Sequence, residues 1–254
     1  MERSAFGWRV AAAGAEPASV EARLLIDASG RGARPLRAFA GAPLSEDRLI
    51  CAWLHVPLRA PAASITYCES EQEGWWYSAP LPGGRRLLAF HTDSDLLRRG
   101  PALAPADRAM NLPALAALLT DSDLAKATPT RLCAAHGARL ASAAGAGWIA
   151  VGDAAMSFDP LSSQGLFHAL YTGLKGGEAA ARILAGDEAA GQEFASSLEP
   201  VWKGYRFHRA VYYGMERRWP NAPFWRRRLS QLQESQSSGF AQHAAGRELR
   251  RETA

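Results

Sequence analysis

The sequence predicts a mixed α/β fold, and three observations carry that reading. Two short apolar runs, LLI at 24–26 and WIAV at 148–151, each end in a turn bearing an aspartate and a glycine, as buried strands do where they hand over to a loop or helix. Between them, from Leu49 to Asp93, four strand-like runs (LICAWLHV, SITYCES, GWWYSAP and RRLLAFHT) are separated only by PLRAPAA, EQEG and LPGG. Strands in direct succession with short turns favour an antiparallel sheet. After Gly165 the apolar spacing becomes helical.

Taken in order, Trp8, Val10 and the 24–26 run lie on either side of the turn-rich AAAGAEPAS, which reads as a hairpin ending in a buried strand. From about Pro101 to Ala127 the chain changes character, with ALAALL flanked by Asn111 and Asp121, and one or two short helices are expected. A long helix is expected from Gly165 to about Ala185. Leu166, Leu170, Leu174, Ala181 and Leu184 fall on one stripe of it, and Gly173, Gly176, Gly177 and Ala180 would admit a close backbone. A second helical segment, roughly Ala189 to Arg217, carries Phe194, Leu198, Val201, Tyr205, His208 and Tyr212 at helical spacing and stops before Pro220. The polar tail from Ser230 is expected to fray over its last ten residues. The expected domains are 1–48 with 128–187, an antiparallel sheet over 49–127, and a helical extension over 188–254.

With 48% hydrophobic residues the chain can bury a core. No apolar run reaches the roughly 20 residues that span a bilayer, and the start MERSAFGWRV has no signal-like apolar core, so the expected location is the cytoplasm with no membrane partner. Cys51, Cys68 and Cys133 share no CxxC spacing and suggest neither a disulfide framework nor a metal site. Arginine supplies nearly all the positive charge, since Lys126, Lys175 and Lys203 are the only lysines. The densest basic cluster, Arg217, Arg218, Arg226, Arg227 and Arg228, reads as a solvated helix face, and no nucleic-acid partner is expected.

The most specific local signal is WIAVGDAAMSFDPLSSQG. Gly152 allows backbone to approach a ligand, Asp153 offers a carboxylate to a sugar or polyol hydroxyl, and Ala154 and Ala155 leave room for a planar group. Amides at a helix start near Gly165 would favour a phosphate or a carbonyl that gains charge on reduction. Alone, this stretch is also compatible with an ordinary strand-to-helix turn capped by aspartate. The second signal, LLIDASGRGARPLR, places Asp27 at a strand end followed by Gly30, Arg31 and Arg37. Alone, DASG is a common turn; the two signals together, both at strand ends, are harder to obtain by chance. His91, Asp93 and Asp95 could form a metal or base cluster or a capped turn, and the capped turn is preferred because no further ligand lies at suitable spacing. Ser162 and Ser163 lack the Gly-x-Ser-x-Gly elbow of a hydrolase.

Asp27-Ala28-Ser29-Gly30-Arg31 resembles the middle flavin motif, and Gly152-Asp153-Ala154-Ala155 with Asp159-Pro160 and Gly165 the last one, of the p-hydroxybenzoate-hydroxylase and flavin-dependent halogenase superfamily. Gly74-Trp75-Trp76-Tyr77-Ser78-Ala79-Pro80 is similar to the WxWxIP signature of the halogenases, and DPLSSQG is similar to flavoproteins that mature quinone-cofactor amine oxidases. The resemblance implies an incomplete doubly wound FAD-binding domain, an antiparallel β-sheet substrate domain and C-terminal helices. It implies FAD as cofactor, with NAD(P)H or another donor as reductant, and a small aromatic substrate or a Trp-bearing protein. Asp153 would then hold the ribityl chain, the turn from Pro160 to Gly165 would polarise the flavin ring, and Asp27, Gly30, Arg31, Gly152 and Ala154 would line the cofactor. Trp75 and Tyr77 would wall the substrate pocket, or else be alternating strand residues that line a core. No catalytic residue and no metal ligand is identified.

The sequence departs from the family at several places. No strand-GxGxxG-helix unit precedes Asp27, because Pro35 stands where the third glycine would fall after Gly30 and Gly32. Met1 is therefore expected to fall inside a longer ancestral sequence. Halogenases carry Glu-Ser where this chain has Ser162-Ser163, and their catalytic lysine belongs to that N-terminal portion. Two functions are expected to compete: an FAD-dependent oxidoreductase, and a truncated non-catalytic fragment or accessory subunit whose partner chain covers the region that is missing.

Overall fold

The computed structural model describes residues 1–12, 18–59, 64–97, 105–120 and 122–230. The chain falls into two compact units, residues 1–47 with 136–206 and residues 48–135 with 207–254. The segment 188–230 is thus shared between them. The polar tail beyond residue 230, the middle of the N-terminal hairpin turn and Asp121 lie outside the described residues.

The first unit holds three small sheets. Strands Glu2–Ser4, Gly7–Ala12 and Ala18–Ala22 make an antiparallel meander. Trp8 is fully buried; its indole N–H donates to the Gly147 carbonyl, the Arg3 guanidinium lies 3.9 Å over its ring, and Phe39 meets it edge-on at 4.8 Å. Leu25–Asp27 pairs in parallel with Trp148–Ala150, which pairs antiparallel with Ala144–Gly145. Leu44–Ser45, Ala138–Arg139 and Met156–Ser157 form the third sheet. The core gathers Trp8, Leu36, Ile149, Met156, Phe158 and Trp202.

The helix Gly165–Leu184 forms where expected, but the other way round. Leu166, Leu170 and Leu174 are 77%, 68% and 62% exposed, whereas His168, Thr172, Gly176, Ala179 and Ala180 are buried. The packed face is the one with small side chains, because the helix crosses the strand end closely: a Cβ on Gly176 would stand 2.5 Å from Val151 Cγ1. Gly173 and Gly177, also expected to admit a close neighbour, face open space.

The second helical segment is two helices, Ala190–Ser197 and Glu199–Gly214. Pro200 explains the break: proline lacks an N–H and is tolerated only in a first turn. The restart shifts the stripe by one residue. Trp202, Tyr205, Arg209 and Tyr213 are buried, while His208 and Tyr212, expected inside, are exposed.

The second unit is built on a five-stranded antiparallel sheet. All four expected runs form strands, Leu49–Pro57, Tyr67–Glu71, Gly74–Leu81 and Arg85–Asp93, and an unexpected fifth, Arg131–Ala134, pairs with Leu49–Pro57 at the edge. One face packs Leu54, Val56, Trp76, Leu88 and Phe90 against the short helices Pro105–Met110 and Pro113–Leu118 through Ala109 and Leu115. Beyond Pro220 a further helical turn region, 223–230, brings Phe224 and Trp225 against Tyr213. The arginine cluster is not a uniformly solvated face. Arg218 pairs with Glu216, Arg227 with Asp93 and Asp95, and Arg228 is buried against Asp93.

Candidate functional site

Strands Leu25–Asp27 and Trp148–Ala150 run side by side in parallel, with Ala150 opposite Asp27. Both motif turns therefore leave the same end of one sheet, the place where open α/β sheets bind ligands. The turns are tied together, since the Val151 N–H donates to the Asp27 carbonyl at 2.9 Å. Asp27 is buried; one carboxylate oxygen accepts the Ser29 N–H at 2.8 Å, and the other has no hydrogen-bond partner among the described residues. A buried carboxylate oxygen without a donor is costly and marks a place where a donor is missing. Gly30 sits at φ +83° with open space where a Cβ would stand, so backbone is accessible there.

Arg31 is a clamp within this unit. Its guanidinium donates to the His136 and Phe158 carbonyls, each at 2.5 Å, and to Ser157 Oγ at 3.3 Å. Its Nε lies 3.4 Å from the Asp153 carboxylate. The rigid fork thus holds the strand end after Met156 and orients Asp153 together. Asp153 itself sits in the one-turn helix Gly152–Ala154 with a third of its side chain exposed (33%). Gly152, at φ +56°, donates its N–H to Thr172 Oγ1 at 2.7 Å, and that hydroxyl donates to the His168 carbonyl at 2.7 Å. Ala154 is buried in the core below.

Pro160 opens a second single turn, Pro160–Ser162, capped by Asp159, whose carboxylate accepts the Leu161 N–H at 2.9 Å. The Asp159 N–H donates to the Tyr205 hydroxyl at 3.0 Å, and Phe158 stacks on Tyr205. The long helix then begins at Gly165, with no side chain among the described residues capping its first turn and open space at the glycine. Its uncapped amides carry partial positive charge. His168, one turn in, is buried beside Phe158, and its Nε2 has no hydrogen-bond partner among the described residues. Burial pushes its imidazole below the ordinary range, and the charge of Asp153 pulls in the opposite direction. All eight residues expected to line the cofactor belong to this unit. Thr172, Tyr205 and the Asp153–His168 proximity were not legible, because each joins residues more than a dozen positions apart with no local pattern to announce it.

Trp75 and Tyr77 lie in the other unit, on strand Gly74–Leu81. Trp75 is buried, stacked 3.7 Å from His91 with its indole N–H donating to Tyr213 at 3.0 Å. Tyr77, on the same face, is half-buried. Among the described residues no group of three potential metal ligands is found, and Asp93 and Asp95 are both engaged by arginine.

Burial pushes His91 down to about 3 from an ordinary value of 6.5. The unfolded chain takes up a proton that the folded chain refuses, so stability falls as pH drops below 6.5, by up to about 1.4 kcal/mol per pH unit. His91→Phe, which keeps a ring on Trp75, is expected to flatten the pH dependence of urea unfolding between about pH 6.5 and 5, above the range where carboxylates dominate. An unchanged slope would show that His91 takes up its proton in the folded state.

Residues 10–252 match the tryptophan halogenase family. The chain belongs to that family. The chain is 28% identical over 209 residues to LodB of Marinomonas mediterranea, a protein named as an FAD-dependent oxidoreductase, covering 80% of this chain and 55% of LodB. The peptidyl tryptophan dihydroxylase QhpG, described as essential for tryptophylquinone cofactor biogenesis, is similar in structure with TM-score 0.70 and 26% identity, over 86% of this chain and 52% of QhpG. The flavin-dependent brominase Bmp2 shares the fold, with TM-score 0.69 and 21% identity over 80% of this chain and 55% of Bmp2. This member of the tryptophan halogenase family thus spans about half the length of the relatives it matches. No helix among its described residues is long and apolar enough to cross a membrane.

Proposed function

We propose that this chain carries the ring-facing part of an FAD-dependent oxidoreductase that acts on an electron-rich aromatic substrate, with tryptophan, free or within a polypeptide, as the favoured class. One observation carries the reading. At the carboxyl end of the parallel strand pair, an oriented and partly exposed Asp153 stands beside the strand end of Asp27 and precedes the uncapped helix start at Gly165. The residues present fit a flavin: Asp27 has a buried oxygen awaiting a donor, and Gly30 and Gly165 leave open space. Asp153 would accept ribityl hydroxyls, Asp27, Gly30 and Gly152 would bring backbone and carboxylate close to the cofactor, and Ala154 keeps the wall flat. The turn from Pro160 to Gly165 would aim amides at the ring carbonyl, and Arg31 would act by holding Asp153. When bound, FAD supplies the redox chemistry, passing electrons from NAD(P)H or another donor towards oxygen.

The names of LodB and QhpG support this oxidoreductase reading over a non-catalytic accessory role. Ser162-Ser163, in place of the Glu-Ser that halogenases resemble one another in, supports oxygenation over halogenation, and Trp75 and Tyr77 are the candidates for the substrate wall. The exposed apolar face of Leu166, Leu170 and Leu174 is the candidate surface for a partner chain, since large exposed apolar patches mark interaction sites.

The test is retention of flavin. After incubation with excess FAD and removal of free cofactor, the chain is expected to keep absorbance bands at about 450 nm. Asp153→Ala is expected to weaken retention by about 10- to 100-fold, the worth of a hydrogen bond to a charged group. A colourless chain would defeat the proposal for this polypeptide and leave the accessory role.

A further inference from the structure

Cys51 and Cys133 stand directly opposite each other on neighbouring antiparallel strands of the second unit. Facing residues of adjacent strands project from the same side of a sheet. The Ala135 N–H donates to the Leu49 carbonyl at 3.0 Å, which fixes the phase of the ladder. Two residues further on, Cys133 and Cys51 occupy another hydrogen-bonded pair, where Cα atoms lie about 5.5 Å apart. That separation falls inside the usual disulfide range of about 4.4 to 6.8 Å. The Cβ atoms of such a pair stand about 5.5 Å apart, beyond the roughly 4.5 Å of a relaxed disulfide, so the edge strand must draw in as the bond forms and the bond is readily reduced.

The two thiols differ in access. Cys51 is 7% exposed in the sheet core, while Cys133 lies exposed on the edge strand Arg131–Ala134. Contact with Cys133, and then burial, push the Cys51 thiol up and keep it protonated. Cys68 is exposed on the opposite edge strand and faces Tyr77, with no cysteine across from it.

We propose that Cys51 and Cys133 are an oxidative modification site that closes into a reversible disulfide under a peroxide, clipping the edge strand to its neighbour. The exposed Cys133 sulfur attacks one oxygen of hydrogen peroxide, the O–O bond breaks, and a sulfenic acid and one water result. The Cys51 thiol then gives up its proton and attacks the Cys133 sulfur as the thiolate, the S–O bond breaks, and the departing hydroxide takes that proton to leave as a second water. Two thiols lose two electrons and one peroxide becomes two waters. Neither flavin nor substrate enters the step, so the proposal stands apart from the oxidoreductase reading.

The reduced full chain would be treated with a few equivalents of hydrogen peroxide, unfolded in N-ethylmaleimide, and weighed intact before peptide mapping. The expected product carries a single maleimide, on Cys68, is about 2 Da lighter before alkylation, and returns to three maleimides after dithiothreitol. Cys133→Ser, a change at an exposed position, is expected to lower that product at least tenfold, and Cys68→Ser to keep the internal disulfide with no maleimide attached until dithiothreitol exposes two. Three maleimides after peroxide, a sulfinic acid on Cys133, or disulfide-linked dimers in place of the internal bond would each overturn the proposal.

Discussion

Asp93→Ala is expected to destabilise the protein by about 3–5 kcal/mol, the cost of breaking a buried ion pair by removing one partner. Asp93 and Arg228 are each 3% exposed in their side chains and meet at 2.9 Å. The guanidinium is enclosed, lying 3.5 Å over the Phe224 ring and 4.9 Å from that of Tyr213, with a further bond to the Phe224 carbonyl. Asp93 also accepts from Arg227 at 2.7 Å. Removing the carboxylate therefore takes a counter-charge away from a buried arginine that keeps its proton among aromatic rings. The pair itself is a different matter, since replacing both charges by apolar groups of similar volume is often neutral. Asp93→Leu with Arg228→Met is expected to recover most of the loss. Urea unfolding of the two variants decides it. A loss below about 1 kcal/mol in Asp93→Ala would mean that water reaches the Arg228 guanidinium.

These arginines show where the sequence stopped being informative. Arg217, Arg218 and Arg226 to Arg228 form one basic cluster along the chain, and nothing local separates Arg226 from the buried Arg228, because the partner of Arg228 lies 135 positions away. The four strands between Leu49 and Asp93 were legible because alternation and turn chemistry are local. The strand Arg131–Ala134 was not: its four residues are all exposed and lack any alternation of burial. The candidate flavin site divides in the same way. Asp27, Gly30, Gly152, Asp153 and Gly165 were readable as two motifs at strand ends, and the parallel register that sets Ala150 beside Asp27 is what brings those motifs together. The clamp by Arg31 on Ser157 and Phe158 was hidden, since it spans 126 and 127 positions. The helix Gly165–Leu184 misled in an instructive way. Hydrophobic periodicity marks its leucines as the buried stripe, but the distance to strand Trp148–Ala150 selects the face with the smallest side chains.

That close crossing makes Gly176→Val the substitution that should move stability and flavin retention together. A Cβ at Gly176 would stand 2.5 Å from Val151 Cγ1, with Ile149 Cγ2 at 3.6 Å and Phe194 Cζ at 3.7 Å behind it. Val151 cannot swing away cheaply, because it is buried and a β-branched side chain has little rotamer freedom. Valine adds two methyl groups beyond that Cβ, so the helix itself must lift. Overpacking of this kind is expected to cost about 3 kcal/mol. Thr172 lies one turn before Gly176 on the same buried face and accepts the Gly152 N–H; lifting the helix stretches that bond and moves the amides at Gly165 relative to Asp153. FAD retention should therefore fall at least tenfold in variant protein that is still folded at low temperature. Gly177→Val is the control, one residue on and facing open space. Valine has a better helix propensity than glycine, by a few tenths of a kcal/mol, so stability and retention should both hold in the control. Equal behaviour of the two variants would show that the helix is not seated on the strand end through Gly176. Loss of stability without loss of flavin would show that its N-terminus does not face the cofactor.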